Sequence, residues 1–115
     1  MNAKQESEIR KEIVFSIQLE SEHEPVAGSA IASGDDEFDR SVEQEIYRQL
    51  DAGNEWAWCC VRVVAEWNGL IGDDYLGCCS YASEADFCVA GGYFEDMKES
   101  AALCLLEKID RVQIR

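Results

Sequence analysis

The residue types best able to do chemistry in this sequence are six cysteines, a single histidine and an abundance of carboxylates. Four of the cysteines form two adjacent pairs, Cys59-Cys60 and Cys78-Cys79, while Cys88 and Cys104 stand alone. A structural zinc ion needs thiolates at CxxC-like spacing, so that two side chains can turn toward one tetrahedral centre. Neighbours on a strand point to opposite faces, and the sequence contains no CxxC, so neither a metal site nor a cofactor is expected. If Asn68-Gly69 makes a two-residue turn, Cys59 lies opposite Cys78 and a cross-strand disulfide is geometrically open. Reduced thiols acting as small hydrophobes are the plainer expectation. Thiol catalysis needs nearby cations or a helix N-terminus to stabilise thiolate, and the surroundings are acidic. His23 lies between Glu22 and Glu24 in an expected turn, which reads as a solvated side chain rather than a triad member. Gly69, Gly72, Gly77 and Gly91-Gly92 match no phosphate-binding loop. No complete catalytic site emerges, and the chain reads as non-enzymatic.

The acid distribution says more. Twenty-four acidic residues face ten basic ones in 115, a formal net charge of −14. Such a field repels phosphate backbones and anionic membrane surfaces and favours basic partners, so direct nucleic-acid or membrane binding is not expected. Residues 20–55 hold eleven acidic and two basic side chains, a net of −9. Within them Asp36, Asp39 and Glu43 fall at i, i+3 and i+7 on an expected helix. Their carboxylates are then spaced roughly 5–6 Å along the axis, close to the phosphate spacing of one nucleic-acid strand. A solvated helix face is the bland reading of such a run. The functional one is a decoy for a surface that grips nucleic acid.

Trp56 and Trp58 fall on the same expected strand face as Arg62. Exposed tryptophan beside arginine is the composition of an interface hot spot, and burial beneath the last helix or the N-terminal arm is the structural alternative.

The elements that must position these residues follow from periodicity. Residues 1–11 are polar and charge-balanced and read as a flexible arm, and residues 12–115 read as a single domain. Ile13, Phe15, Ile17 and Leu19 alternate with more polar neighbours, the signature of a half-buried strand. Ser21 to Pro25 reads as a turn, and Val26 to Ala32 as a second, weaker strand. Ser33 and Asp36 have capping-box spacing before a helix whose stripe is Phe38, Val42, Ile46 and Leu50, ended by Gly53. Trp56 to Trp67 is the strongest strand, with Ala57, Cys59, Val61, Val63, Ala65 and Trp67 facing the core. Asn68-Gly69 is the preferred two-residue hairpin turn, against a longer loop through Gly72, and the next strand covers about 73–81. Ser83 and Asp86 repeat the cap spacing before a short helical turn. The last helix spans about Tyr93 to Asp110, burying Phe94, Met97, Ala101, Leu105 and Ile109. The expected fold is α+β: an antiparallel sheet of three to four strands with two helices, in the order ββαββα.

The stretches Gly53-Asn54-Glu55-Trp56-Ala57-Trp58, Leu76 to Tyr81 and Gly92 to Met97 resemble small orphan proteins carried by phages and mobile elements, over about residues 53–97. That resemblance implies a context, inhibition of host defence in the anti-restriction or anti-CRISPR manner, and no functional residues. With the acid distribution, it sets the expectation of a cytoplasmic, non-enzymatic inhibitor acting as a nucleic-acid mimic. Its partner would be a protein with a basic surface, such as a host nuclease or CRISPR effector, bound through Asp36, Asp39, Glu43, Trp56, Trp58 and Arg62. The alternative is an acidic adaptor or structural protein that homodimerises through the Trp face, and a thiol-dependent enzyme is a distant third. No signal peptide or membrane-spanning run is visible.

Overall fold

Four α-helices and three strands, with a short 3-10 turn at Glu55–Ala57, succeed one another along residues 1–113, the part of the chain that the computed structural model describes. They are helix α1 (Ala3–Glu12), strand β1 (Val14–Glu20), helix α2 (Asp36–Asp51), strands β2 (Cys59–Trp67) and β3 (Leu70–Cys79), and helices α3 (Glu84–Val89) and α4 (Tyr93–Gln113). The three strands form one antiparallel sheet in the order β1-β2-β3, so the α+β class holds. The detailed order does not. It is αβαββαα, with four helices where two were expected and three strands where a fourth was open.

Two differences have clear causes. Residues 1–11 are not an irregular arm. The Asn2 side chain accepts from the Gln5 backbone N–H, and the Gln5 side chain accepts from that of Asn2, a reciprocal capping box that starts α1. Ile9 is its one buried residue, so the helix shows almost no apolar period in the sequence. Val26 to Ala32 is not a strand either. The Ser29 and Ala30 amides both donate to the Val26 carbonyl, closing a tight turn in which Gly28 takes a left-handed φ of +81°. Val26 is then buried with Ile46 and Ala57, with Ala30, Val42, Leu50 and Trp58 packed around them.

The chain divides into two compact units, each drawing on all three strands. The first unit comprises residues 1–18, 62–75 and 92–115. Its buried apolar side chains are Ile9 of α1, Val63, Val64 and Ala65 of β2, and Met97, Ala101, Ala102, Leu105, Leu106 and Ile109 of α4; the expected α4 stripe holds from Met97 on, while Phe94 is only half-buried. Gly72 of β3 lies directly against α4. A Cβ there would come within 2.3 Å of the Ala101 carbonyl oxygen and of the Leu105 nitrogen. Asn68 and Gly69 both have positive φ, +48° and +80°, which is the two-residue hairpin turn and excludes the longer loop. Arg10 of α1 binds Glu99 of α4 through both guanidinium nitrogens, at 2.9 and 3.1 Å. On β2, Arg62 donates to Asp73 and to Gln18 and lies over the Tyr75 ring.

The second unit comprises residues 19–61 and 76–91. Beside the Val26 cluster it buries Phe87 of α3 completely, with the Trp56 and Tyr81 rings 5.5 and 5.2 Å from it. Ser83 caps α3 as its spacing to Asp86 anticipated, accepting from the Asp86 N–H. Helix α2 opens two residues later than expected. Asp35, not Ser33, is its N-cap, accepting from the Phe38 N–H at 3.1 Å. The stripe of α2 holds at Ile46, Val42 and Leu50, whereas Phe38 at its open end is 51% exposed. The last turn closes as expected, with Gly53 at φ +94°.

Candidate functional site

The charge is divided unequally between the units. Counted on the sequence, the second unit holds thirteen acidic and two basic side chains, a net of −11. The first holds eleven acidic and eight basic ones, a net of −3. Several of the first unit's acids are neutralised by contact, such as Glu99 with Arg10 and Asp73 with Arg62. In the second unit the basic residues are Arg40 and Arg48, and Arg48 is engaged by Glu45 on the same helix. The second unit is therefore much the more acidic of the two, and most of its carboxylates stand in solvent.

The expected acidic ridge is only partly a solvent-facing ridge. Asp36 is exposed, but Asp39 and Glu43 are half-buried. The Asp39 carboxylate is a structural acceptor, taking the Ser33 backbone N–H at 3.1 Å and the Ser33 hydroxyl at 2.5 Å, which folds the approach to α2 back onto its first turn. The carboxylates that α2 does present are Asp36, Glu37, Glu45 and Asp51. Glu45 is held ionised, its pKa lowered to about 2 by hydrogen bonds from Arg48 and Gln49.

Trp56, Trp58 and Arg62 are not brought together. Trp56 lies in the short 3-10 turn Glu55–Ala57 ahead of β2, where its rings meet Tyr81 edge-on at 6.4 Å and Phe87 at a tilt. Its carbonyl accepts from the Tyr81 N–H at 2.8 Å. Trp58 is half-buried against the Val26 cluster, and its indole N–H donates to the Glu24 carbonyl at 2.9 Å. Arg62 is engaged within the sheet by Gln18, Asp73 and Tyr75. The strand pattern that aligned the three residues fails because β2 begins only at Cys59.

Four of the six thiols are poorly suited to nucleophilic work. Cys59 and Cys79 are buried, and burial pushes their pKa values up to about 12 and about 11. Desolvation and the Glu22 carboxylate also raise Cys60 and Cys78. Cys78 has a left-handed φ of +54°, and its N–H donates to the Glu22 carboxylate. The cysteine buried like Cys59 is Cys79, while Cys78 is exposed. All six cysteines are free thiols. Among the described residues no group of three or more His, Cys, Asp or Glu side chains is placed to hold a metal ion. No helix among them is long and apolar enough to cross a membrane.

Sequence reasoning missed Glu22, Tyr81 and Phe87. Glu22 pins the segment after β1 by accepting from the Glu24 and Cys78 amides, and these bonds lower its pKa. A carboxylate that caps a distant amide leaves no local pattern. Tyr81 and Phe87 could have been found from the Ser83 cap, since a capped turn needs an apolar residue facing inward. No protein-family model, no curated protein and no solved structure matches this chain.

Proposed function

We propose that the chain is a non-enzymatic binding protein whose acidic second unit occupies a basic, nucleic-acid-gripping surface on a partner protein and so blocks it. The observation that supports this is the segregation of charge: a net of −11 on one unit against −3 on the other. A charge spread evenly would serve solubility alone. Concentrated in one unit, it steers a basic partner toward that unit and raises the association rate. The raised thiol pKa values argue against the thiol-enzyme reading. The packed state of Trp56 argues against the Trp-mediated homodimer. The context implied by the resemblance, inhibition of a defence nuclease or effector in the host cytoplasm, belongs to this proposal.

The test uses the whole chain immobilised beside a variant with Asp36→Lys, Glu37→Lys and Asp51→Lys, exposed positions of which the two in the first turn of α2 should cost about 0.3–1 kcal/mol each through the helix dipole. Bacterial lysate is passed over both, and retained proteins are challenged with duplex DNA and with salt. The expected result is retention of nucleic-acid-binding proteins on the parent alone, released by DNA and by raised ionic strength. Retention that survives both DNA and the triple reversal overturns the proposal, as does direct binding of DNA by the chain itself.

A further inference from the structure

The second unit contains a cleft whose chemistry is narrower than a general negative field. It encloses about 250 Å³ beside Trp58, between the end of β1, the last turn of α2 and the 3-10 turn. Leu19, Leu50 and Cys59 supply apolar wall, Trp58 supplies an aromatic one, and Glu20 and Glu55 stand at the rim. Both carboxylates are exposed, and neither side chain has a hydrogen-bond or ion-pair partner among the described residues. No cationic side chain lines the cleft. Trp58 is held in place from two directions, by the bond from its indole N–H to Glu24 and by packing against the Val26 cluster.

Each feature selects against a class of ligand. The volume falls below the roughly 300–1,000 Å³ of pockets that take cofactors and drug-sized molecules, so the occupant is about one side chain in size. Two unpaired carboxylates exclude an anion. A largely apolar wall, with Ser21 its one neutral polar side chain, disfavours a small hydrated metal ion, which needs converging oxygens instead. What remains is a cation on an apolar stem. A guanidinium fits best, because it stacks flat on tryptophan and carries donors in two directions toward separate carboxylates. We propose that this cleft receives an arginine side chain of the partner protein, anchoring the acidic unit at one point. This rests on the reading above that the partner's surface is basic, and it adds where the grip is specific.

The probe is the blocked peptide acetyl-Gly-Arg-Gly-amide at millimolar concentration, with its lysine and citrulline counterparts, titrated into the whole chain. The readout is the Trp58 indole N–H resonance. The arginine peptide should shift that resonance saturably, the lysine peptide should bind several-fold more weakly, and the citrulline peptide should leave it unmoved. The double variant Glu20→Gln with Glu55→Gln should weaken arginine binding about tenfold, since each lost charge pair is worth a few-fold in affinity. The double variant Asp36→Asn with Glu37→Gln removes the same charge elsewhere in the unit and should change binding less than twofold. Trp58→Phe, which keeps a ring where Trp58→Ala would open the core, should weaken binding several-fold. An unmoved indole resonance, or equal weakening by the two double variants, overturns the cleft. Equal binding of lysine and arginine overturns the assignment to arginine. If the cleft variants still compete with nucleic acid for the partner while the Asp36 and Glu37 variants do not, the cleft falls and the acidic-surface reading stands. If arginine binds the cleft but the chain never competes with nucleic acid, the reverse holds.

Discussion

The two units use the same three strands for different ends. The first unit is an ordinary packed layer: Gly72 lets β3 approach α4 closely, and aliphatic side chains fill the space beneath Leu105 and Ile109. Its charges are largely paired, as with Arg10 and Glu99 or Arg62 and Asp73. The second unit buries less. Its fully or nearly buried apolar side chains are Val26, Ile46, Ala57, Cys59, Val61, Cys79 and Phe87, and much of its chain is loop. It also concentrates like charge, which destabilises a compact state by self-repulsion. The difference teaches that stability and interaction are separated here: packing is strongest where charge is balanced, and charge is strongest where packing is thin. A binding surface placed so can lose acids without losing the fold.

The sharpest way to break that comparison is at Gly72. Gly72→Ala drives a methyl into the α4 backbone, which cannot move aside as a flexible side chain would. The cost should be about 3 kcal/mol, the upper part of the range for overpacking a core. Thermal melting reads the loss, and amide exchange should show it centred on α4 and β3. A Gly72→Ala protein that melts like the parent would mean the first unit is not tightly packed.

How much of this was legible in the sequence follows from the range of the forces involved. The strands around Val61 to Ala65, the Asn68-Gly69 turn and the α4 stripe were readable because each depends on neighbours within a few positions. The start of α1 was written in Asn2 and Gln5, but a helix with only Ile9 buried has no period to reveal it. Val26 read as strand because a lone buried residue in a turn looks the same as one inward position of a strand. The candidate site was legible as charge and not as geometry. Asp39 looked like a ligand-facing acid until its hydrogen bonds to Ser33 were seen, and Trp56 looked exposed until the ring of Phe87, thirty-one positions on, came to lie against it.

A smaller effect sharpens the comparison on the side of the second unit. Trp56→Ala removes a half-buried ring that touches Tyr81 and Phe87, and the loss should be about 2 kcal/mol, below the 3–5 typical of a fully buried aromatic. A sizing column should show no change in oligomeric state. An unchanged melting temperature together with loss of a dimer would return Trp56 to the role of an interface residue.

The smallest effect concerns Glu22, where the charge of the second unit is used for structure. Its carboxylate accepts from the Glu24 and Cys78 amides, and those bonds hold its pKa below the ordinary 4.5. A carboxyl whose pKa is lowered in the folded state stabilises that state above its unfolded pKa, and the contribution is lost as pH falls through the folded value. Glu22→Gln keeps an acceptor of the same shape but removes the charge. The parent should therefore melt slightly above the variant near pH 7, and the gap should close as pH falls below about 4.5. Relief of repulsion among the other acids raises both proteins alike over the same range, so the difference isolates Glu22. A gap that stays constant to pH 2 would show that the shape of the acceptor, and not its charge, holds the segment after β1 against the Cys78 amide.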